Sequence, residues 1–456
     1  MSTSADMGLA VAVAQRVCSI QSTSISQEAR LAAQSHLLDS LGLMVAGSSS
    51  DRVRRASAVD GRPDGVVVLS LACSALGLDD FDEASRTHPG AMIVPALLVA
   101  AADAARPIPG HRLATAMVLG YELIAWLGAA MDARNMHPRG RHPSAVLGVP
   151  AVAVAAAWLA ELDEQSVAAA LGIASGFSFG LTQFDEHEDL RALQTAAAAS
   201  AGLRAARFAA SGFPASDQAL EGPGGLLGGD TSRVLPIDTI GTGLSAVEVT
   251  SFKPYPHFSD LHPIVAALLS AFSGKVSDVD QIVEVRAFLT EETASRLHEG
   301  RAMTVKQAKR SAAFVLAHTI RSITQDGGPD FRVPFTEADV ENPQTQELSD
   351  RVEVRITQSA SRLESAVATI EITLANGGSL AATSTGYPGD GRDPRLRWSL
   401  VEVRERFALI VGSGDQRSDI AARAMRIVDQ VNTSSDIRGD CRELVRALGA
   451  LGAGGD

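Results

Sequence analysis

The feature that most constrains the fold is a series of alanine- and leucine-rich segments that fills the first 245 residues. Glycines and prolines separate these segments, as they separate helices in a bundle. The six clearest segments are residues 27–46, 91–105, 111–132, 144–161, 163–177 and 190–211. Several carry apolar residues almost all round, which is typical of helices buried inside a large bundle. The pattern therefore predicts an all-helical domain.

The pattern changes after Pro254. Residues 281–290, 351–357 and 367–374 alternate apolar and polar side chains with many β-branched residues, which predicts half-buried strands. Asn376-Gly377 predicts a hairpin from the third of these strands into residues 379–383.

A helix is predicted from Thr304 to Thr324, between the first two strands, so this part of the chain is predicted to be an α+β module. Residues 399–451 return to a helical pattern and are predicted to rejoin the first domain.

Composition excludes several classes of protein. A chain of 456 residues with 46 % hydrophobic side chains can bury a large core, so we expect a folded globular protein. A net charge of −13 argues against nucleic acid and anionic membranes as partners. Apolar runs such as residues 92–102 and 151–159 are too short to span a bilayer, and residues 1–9 lack the basic region of an export signal.

The cysteines form no metal-binding pattern. Cys18, Cys73 and Cys441 lie far apart and make no CxxC pair, so no zinc or iron–sulfur site is predicted. With no signal for export, we expect a cytoplasmic enzyme without a bound metal.

A set of short motifs runs along the chain in order. They are Leu37-Leu38-Asp39-Ser40-Leu41-Gly42, Thr87-His88-Pro89-Gly90, Gly120-Tyr121-Glu122, His142-Pro143-Ser144, Phe252-Lys253-Pro254-Tyr255-Pro256, Ala308-Lys309-Arg310-Ser311 and Arg406-Phe407. Their order and spacing resemble those of the MmgE/PrpD family, which contains 2-methylcitrate dehydratases and cis-aconitate decarboxylases.

The resemblance implies a mainly α protein with an α+β second domain. The all-helical domain would comprise residues 1–250 and 399–456, and the smaller α+β domain residues 251–398. It also implies an active site between the domains, a homodimer, and lyase chemistry on small carboxylates with no metal or organic cofactor.

Three residues are predicted to be catalytic through this resemblance. His88 and His142 each precede a predicted helix, where backbone N–H groups favour anions, and histidine suits proton transfer. Lys253 is one of only four lysines among 40 basic residues, so a titratable ammonium is indicated there as a carboxylate clamp or proton donor. A packing or surface role is the alternative for each of the three.

Other residues are predicted to contact the substrate. They are Arg191, Asp79, Asp80, Arg141, His257, His262, Phe81 and Phe314. His257 and His262 are five residues apart and do not share a helix face, so a metal pair is not predicted. His137 matches no motif and is predicted to be structural.

The chain departs from the family pattern at its acidic motif. Ser74, Gly77 and Phe81 stand where the family has histidine, aspartate and threonine, whereas Asp79 and Asp80 are kept. Asp80 or Asp82 could replace the lost aspartate, and the sequence leaves both possibilities open.

Two further departures lie outside this motif. Arg191 takes the place of a lysine, and Phe314 the place of a tyrosine. Arginine keeps the charge but is permanently protonated, so it cannot carry a proton. We therefore expect a less polar pocket than in the usual members.

Three functions follow as hypotheses. The first is a dehydratase or decarboxylase for a small or natural-product carboxylic acid other than 2-methylcitrate or cis-aconitate. The second is an isomerase or epimerase, since the same proton transfers without a leaving group give that result. The third is a repurposed cyclase of a biosynthetic pathway, or a silent binding protein.

Overall fold

The computed structural model describes residues 7–59, 64–183, 187–241, 245–272, 278–325, 333–357, 367–412 and 415–453. The chain divides into two compact units. Unit 1 comprises Met1–Ala75, Asp79–Ser251 and Ser399–Asp456, and unit 2 comprises Leu76–Leu78 and Phe252–Trp398. Both units are therefore discontinuous in sequence.

The described part of unit 1 is helical. Its helices are α1 (Leu9–Ser19), α2 (Gln27–Gly47), α3 (Asp51–Ser57), α4 (Gly65–Cys73), α5 (Gly90–Asp103), α6 (Gly110–Ala130), α7 (Pro143–Leu159), α8 (Glu164–Phe177), α9 (Glu188–Ala210), α10 (Ala246–Val249), α17 (Leu400–Val411), α18 (Asp415–Gln430) and α19 (Arg438–Ala453). The six helices predicted from alanine-rich segments form within three residues of their predicted ends.

Helix α7 lies at the centre of unit 1, and every residue in it is buried. It packs on α5, α6, α8 and α9. Small side chains allow this close approach, because a Cβ atom at Gly148 would lie 2.3 Å from the Met92 sulfur of α5. The N-terminal parts of α5 and α7 are therefore held together.

Helix α6 is the one described helix that is long and apolar enough to cross a membrane by length and composition. In its most apolar stretch, 89 % of the residues are buried within the protein. That degree of burial is typical of a core helix.

The C-terminal helices complete unit 1. Helix α17 packs on α2, where the Phe407 ring lies against Gly42. The neighbouring Arg406 Nε donates to Asp39 Oδ1 at 2.6 Å, where Asp39 is buried and Arg406 is largely buried. Arg406 and Phe407 are the residues of the C-terminal motif, and this contact gives the motif a structural role.

Unit 2 is built on a four-stranded sheet with the order β2-β1-β3-β4. Its strands are β1 (Ile282–Thr290), β2 (Val352–Thr357), β3 (Ala368–Leu374) and β4 (Ser379–Ser384). The β1–β2 pair is parallel and the other two pairs are antiparallel. The helices are α11 (His262–Phe272), α12 (Glu291–Ala294), α13 (Val305–Arg310), α14 (Ala312–Gln325), α15 (Glu337–Glu341) and α16 (Pro343–Ser349).

The prediction of a single helix from Thr304 to Thr324 is wrong in one respect, because two helices, α13 and α14, form there. The chain is extended at Ser311 between them, with φ −94° and ψ 114°. The Ser311 hydroxyl accepts from Phe314 N at 3.2 Å, as an N-cap does at the start of a new helix. The local hydrogen bond of a serine therefore divides an otherwise continuous helical pattern.

The core of unit 2 lies between one sheet face and two helices. Val285, Ala287 and Leu289 of β1 are buried and pack with apolar residues of α11 and α14. With a helical unit 1 and an α+β unit 2, the structure confirms the predicted fold class.

Candidate active site

The acidic segment before α5 is fixed by main-chain pairing. Phe81 exchanges two hydrogen bonds with Ser251, at 2.8 and 2.9 Å, and Asp82 N donates to Thr87 O at 2.9 Å. The Asp82 carboxylate accepts from Ser85 N at 2.8 Å. Burial raises the pKa of Asp82, and the hydrogen bonds from Ser85 oppose that rise. The carboxylate of Asp82 therefore stabilises the turn that contains Ser85.

His88 is oriented by two acceptors in the same segment. Its Nδ1 lies 2.7 Å from the main-chain oxygen of Asp80 and 3.2 Å from Asp79 Oδ2. Because both partners are acceptors, Nδ1 carries the proton and Nε2 carries the lone pair of the neutral ring. The His88 side chain keeps 17 % of its surface exposed. A carboxylate that orients an imidazole in this way is the arrangement that general bases use.

Three polar groups surround the Asp80 carboxylate. Gly90 N donates to Oδ1 at 2.8 Å, and Oδ2 accepts from the Tyr121 hydroxyl at 2.6 Å and lies 3.0 Å from His36 Nδ1. Burial alone would raise the pKa of Asp80, but the bonds from His36, Tyr121 and Gly90 hold it below its usual value. A Cβ atom at Gly90 would lie 2.9 Å from Oδ2, so only glycine fits there. Asp80 thereby anchors the start of α5, while its substrate contact stays a prediction.

His142 occupies the N-cap position of α7, but its side chain does not cap the helix. Its main-chain N–H donates to Gly180 O at 3.2 Å. Among the described residues, its Nδ1 has no hydrogen-bond partner although the residue is only 4 % exposed. Burial lowers the pKa of His142 well below its usual value, and the neighbouring side chains of Arg191, His137 and His88 lower it further.

This electrostatic coupling brings three predicted residues of unit 1 together. His88 and Arg191 lie near enough to His142 to act electrostatically on its ring, and each of the three lies close to the start of a helix. Arg191 lies in the first turn of α9 and is partly buried. The result is a group of cationic and imidazole side chains beside helix N-termini, which is a favourable environment for an anion.

Arg141 does not join this group through its side chain, which is exposed. Its main chain pairs instead with Leu181. Gln194 of α9 binds both main-chain groups of Leu181, accepting from its N–H at 2.8 Å and donating to its oxygen at 3.1 Å. The segment before α7 is therefore braced by α9, and the ligand contact predicted for Arg141 stays a prediction.

Lys253 lies in unit 2, where it is only 7 % exposed. Its ammonium donates to the Gly77 main-chain oxygen at 2.6 Å. Gly77 has a φ of +68°, a conformation that glycine adopts readily, and a Cβ atom there would meet only ordinary contacts near Pro256. The Gly77 main-chain oxygen is therefore a hydrogen-bond acceptor for the ammonium of Lys253.

His257 and His262 are buried beside Lys253 in unit 2. The His257 ring stacks on Tyr255 at 5.6 Å between centroids and meets the His262 ring edge-on at 5.1 Å. Burial, with the Lys253 charge, lowers the pKa of His257 to about 3. Burial likewise lowers the pKa of His262, helped by His257 and Lys253. Both rings are neutral at pH 7.

The two phenylalanines have different surroundings. The Phe81 ring lies 5.4 Å from the His88 ring, between centroids, and the Arg86 guanidinium lies over the Phe81 ring at 4.9 Å from its centroid. Phe314 is wholly buried in unit 2 in a small apolar cluster with Val340 and Phe335. Phe81 is thus part of the His88 environment, whereas Phe314 fills a core.

Four residues of this environment were missed from the sequence. His36 and Tyr121 bind Asp80, Gln194 braces the segment before α7, and the His137 ring lies 6.1 Å from that of His142. A polar histidine within the apolar helix α2 was a usable signal for His36, because a buried polar group needs a partner. Gln194 and His137 carry no such signal, since only the fold brings them to the site.

No group of three or more metal-binding side chains occurs among the described residues. One cavity of about 300 Å³ lies at the C-terminal ends of α5 and α7, lined mainly by alanine and leucine. None of the predicted site residues lines it, so it is separate from the His88 and His142 group.

Comparison with known proteins gives partial matches. The sequence profile of the MmgE/PrpD N-terminal domain matches residues 62–233. The chain is 32 % identical over 147 residues to the cis-aconitate decarboxylase-like protein oryM of Aspergillus oryzae, which is 30 % of each chain. It is 31 % identical over 155 residues to the cis-aconitate decarboxylase of Aspergillus terreus, covering 33 % of this chain and 32 % of that protein.

A longer and more distant match is the human cis-aconitate decarboxylase, 25 % identical over 368 residues, or 76 % of this chain and 74 % of the human protein. The match to the two fungal proteins therefore spans about a third of their length, and the match to the human protein about three quarters.

Proposed function

The chain belongs to the MmgE/PrpD family, and from that premise we propose that it is a lyase, a dehydratase or decarboxylase, that acts on a carboxylic acid without a metal or organic cofactor. The observation that carries the proposal is the orientation of His88. Its Nδ1 proton is held by Asp80 O at 2.7 Å and by the Asp79 carboxylate at 3.2 Å, so Nε2 is the basic nitrogen.

In the proposed reaction His88 moves the proton at the carbon next to the substrate carboxylate. The Asp79 carboxylate stabilises the imidazolium that forms, as the third member of a catalytic triad does. His142 is neutral and buried, so it suits a second proton transfer at a site from which water is excluded. Arg191 is the proposed partner of a substrate carboxylate, because guanidinium groups bind carboxylates through two bonds.

Lys253 is proposed to bind a substrate carboxylate or to donate a proton, because its sequence motif resembles that of the family. Its buried ammonium donates to the Gly77 oxygen at 2.6 Å, and a charged donor of this kind suits a substrate carboxylate.

The proposed substrate has fewer carboxylates than 2-methylcitrate or cis-aconitate, or a larger apolar part. Gly77 and Phe81 offer no side-chain donor or carboxylate where the family motif has aspartate and threonine. A buried carboxylate without a partner costs several kcal/mol, so a third carboxylate has no favourable position. An isomerase or epimerase is the second candidate, because the His88 orientation supports proton transfer whether or not a group leaves.

The test is a panel of mono- and dicarboxylic acids, with β-hydroxy and α,β-unsaturated members, incubated with purified protein in buffered D2O and followed by NMR. The proposal predicts loss of water or CO2 from at least one acid. Deuterium exchange with no leaving group would identify the isomerase instead.

For 2-methylcitrate and cis-aconitate we predict turnover below about 1 s⁻¹, the low end of ordinary enzymes. Faster turnover of either acid would contradict the substrate assignment. The lyase proposal is contradicted if no acid of the panel loses water or CO2 and none exchanges deuterium.

A further inference from the structure

The start of helix α7 carries two buried polar side chains that lack protein partners. Among the described residues, neither His142 Nδ1 nor Ser144 Oγ has a hydrogen-bond partner. His142 is 4 % exposed and Ser144 is 1 % exposed. A buried polar group without a partner loses the hydrogen bonds it makes in water, so two of them within three residues require an explanation.

The position of Ser144 directs its hydroxyl toward the N-terminal end of the helix. His142 is the N-cap and Pro143 the first helical residue, so Ser144 is the second. Because Cα–Cβ bonds in an α-helix tilt toward its N-terminus, a side chain this early lies over the open end. A serine deeper in a helix bonds to the carbonyl four residues back, but the oxygen of Gly140 already accepts from Thr182 N at 3.1 Å.

The main chain offers donors at the same end. The first N–H groups of a helix have no partner within the helix, and they carry the positive end of its dipole. Pro143 has no N–H, and Val146 N donates to His142 O at 3.1 Å. The amides of Ser144 and Ala145 therefore remain as the helix-terminal donors, and the His142 side chain does not cap them.

Positive charge lies close to this helix end. Arg191 lies near enough to the His142 ring for its charge to act on it, and the His137 and His88 side chains lie near the same ring. Helix α7 has 17 residues, so its dipole is fully developed. A hydroxyl donor, two amide donors and this cationic surrounding form a site whose chemistry matches a carboxylate.

We propose that the N-terminus of α7 is a carboxylate-binding subsite, in which the Ser144 hydroxyl and the amides of Ser144 and Ala145 donate to one carboxylate of the ligand and His142 borders the same space. The proposal rests on the proposed function and deepens it, because it assigns a named donor set to a substrate carboxylate. Ser144 then acts as a binding residue that sets affinity.

The sequence allows this subsite to be observed by itself. Pro143-Ser144 is the only Pro-Ser pair in the chain. Labelling proline with carbonyl ¹³C and serine with ¹⁵N therefore gives a single HNCO signal, from the Ser144 amide. Titration of the full-length protein with succinate, and with its neutral diamide as the control probe, reports directly on anion binding at this helix end.

The proposal predicts a saturable shift of the Ser144 signal with succinate and none with the diamide. Ser144→Ala should weaken succinate binding about tenfold or more, the usual effect of losing a hydrogen bond to a charged group. Ser144→Thr should bind as the wild type does. Ser70→Ala is the matched control, because Ser70 is also a buried serine without a described partner but lies inside α4, and it should leave the affinity unchanged.

Ser144→Ala is not expected to impair folding, because it removes an unsatisfied hydroxyl, and the ligand-free variant should melt at or above the wild-type temperature. The proposal is overturned if succinate leaves the Ser144 signal unmoved, or if Ser144→Ala binds succinate as tightly as wild type does. Succinate binding here without turnover of any acid would instead overturn the lyase and leave the subsite in place.

Discussion

The Tyr121 hydroxyl offers a quantitative test of the buried network beneath His88. It donates to Asp80 Oδ2 at 2.6 Å, Tyr121 is wholly buried and Asp80 is 3 % exposed. Tyr121→Phe leaves the ring in place but removes one of the described hydrogen bonds to a buried carboxylate. Hydrogen bonds to charged groups contribute about 1.5–3 kcal/mol, so we expect the free energy of unfolding to fall by about 2 kcal/mol.

The assay is urea unfolding followed by tryptophan fluorescence, with a double-mutant cycle as the control. Asp80→Asn removes the charge, so Tyr121→Phe made on that background should cost less than about 1 kcal/mol. A loss below about 0.5 kcal/mol for Tyr121→Phe in the wild-type background would refute the reasoning, because the hydroxyl would then contribute no more than a surface substitution. Equal losses in both backgrounds would refute the pairing with Asp80.

Two other predictions concern acid and metal. The pKa values of His142, His257 and His262 are lower in the folded state than in the unfolded chain. Below pH 6.5 the folded state therefore binds fewer protons than the unfolded chain. The contribution of these histidines to the free energy of unfolding is fully present above that pH and is lost as the pH is lowered. Between pH 6.5 and 5.0 His257 should cost about 2 kcal/mol of stability, because its folded pKa of about 3 lies below that range. Calorimetry should show a smaller acid-induced fall in Tm for His257→Phe than for wild type, and an equal fall would show that this histidine is not held neutral. Activity should survive dialysis against a chelator, and activity that is lost and then restored by zinc or iron would contradict a metal-independent reaction.

The fold class was predictable because its signals are local. Alanine-rich segments without a polar face predict buried helices, and α7 has every residue buried. The alternation in residues 281–290 predicts β1, whose Val285, Ala287 and Leu289 face the core. The break at Ser311 was missed because the hydroxyl of one residue competes with the helix there, against a continuous apolar pattern.

The candidate site was only partly predictable. His88 was found through its motif, and the structure adds the partners that fix its tautomer, Asp79 and the Asp80 carbonyl. His36 lies 44 residues before Asp80, so only tertiary packing reveals their contact. The sequence leaves open whether Asp80 or Asp82 replaces the missing aspartate. In the structure the Asp80 carboxylate accepts from Tyr121 and Gly90, and the Asp82 carboxylate accepts from Ser85.

The central claim is that His88 and His142 transfer protons in a lyase reaction, and turnover of single variants tests it most directly. With an acid from the NMR panel as substrate, His88→Ala and His142→Ala should each lower turnover by about 10²-fold or more, because general acid–base catalysis contributes 10²–10⁴. His111→Ala is the control, since His111 is a partly exposed histidine whose Nδ1 lies 3.0 Å from the Thr433 main-chain oxygen. It should retain wild-type turnover, and all three variants should keep wild-type circular dichroism. Unchanged turnover in His88→Ala or His142→Ala would contradict the claim and assign that histidine to structure.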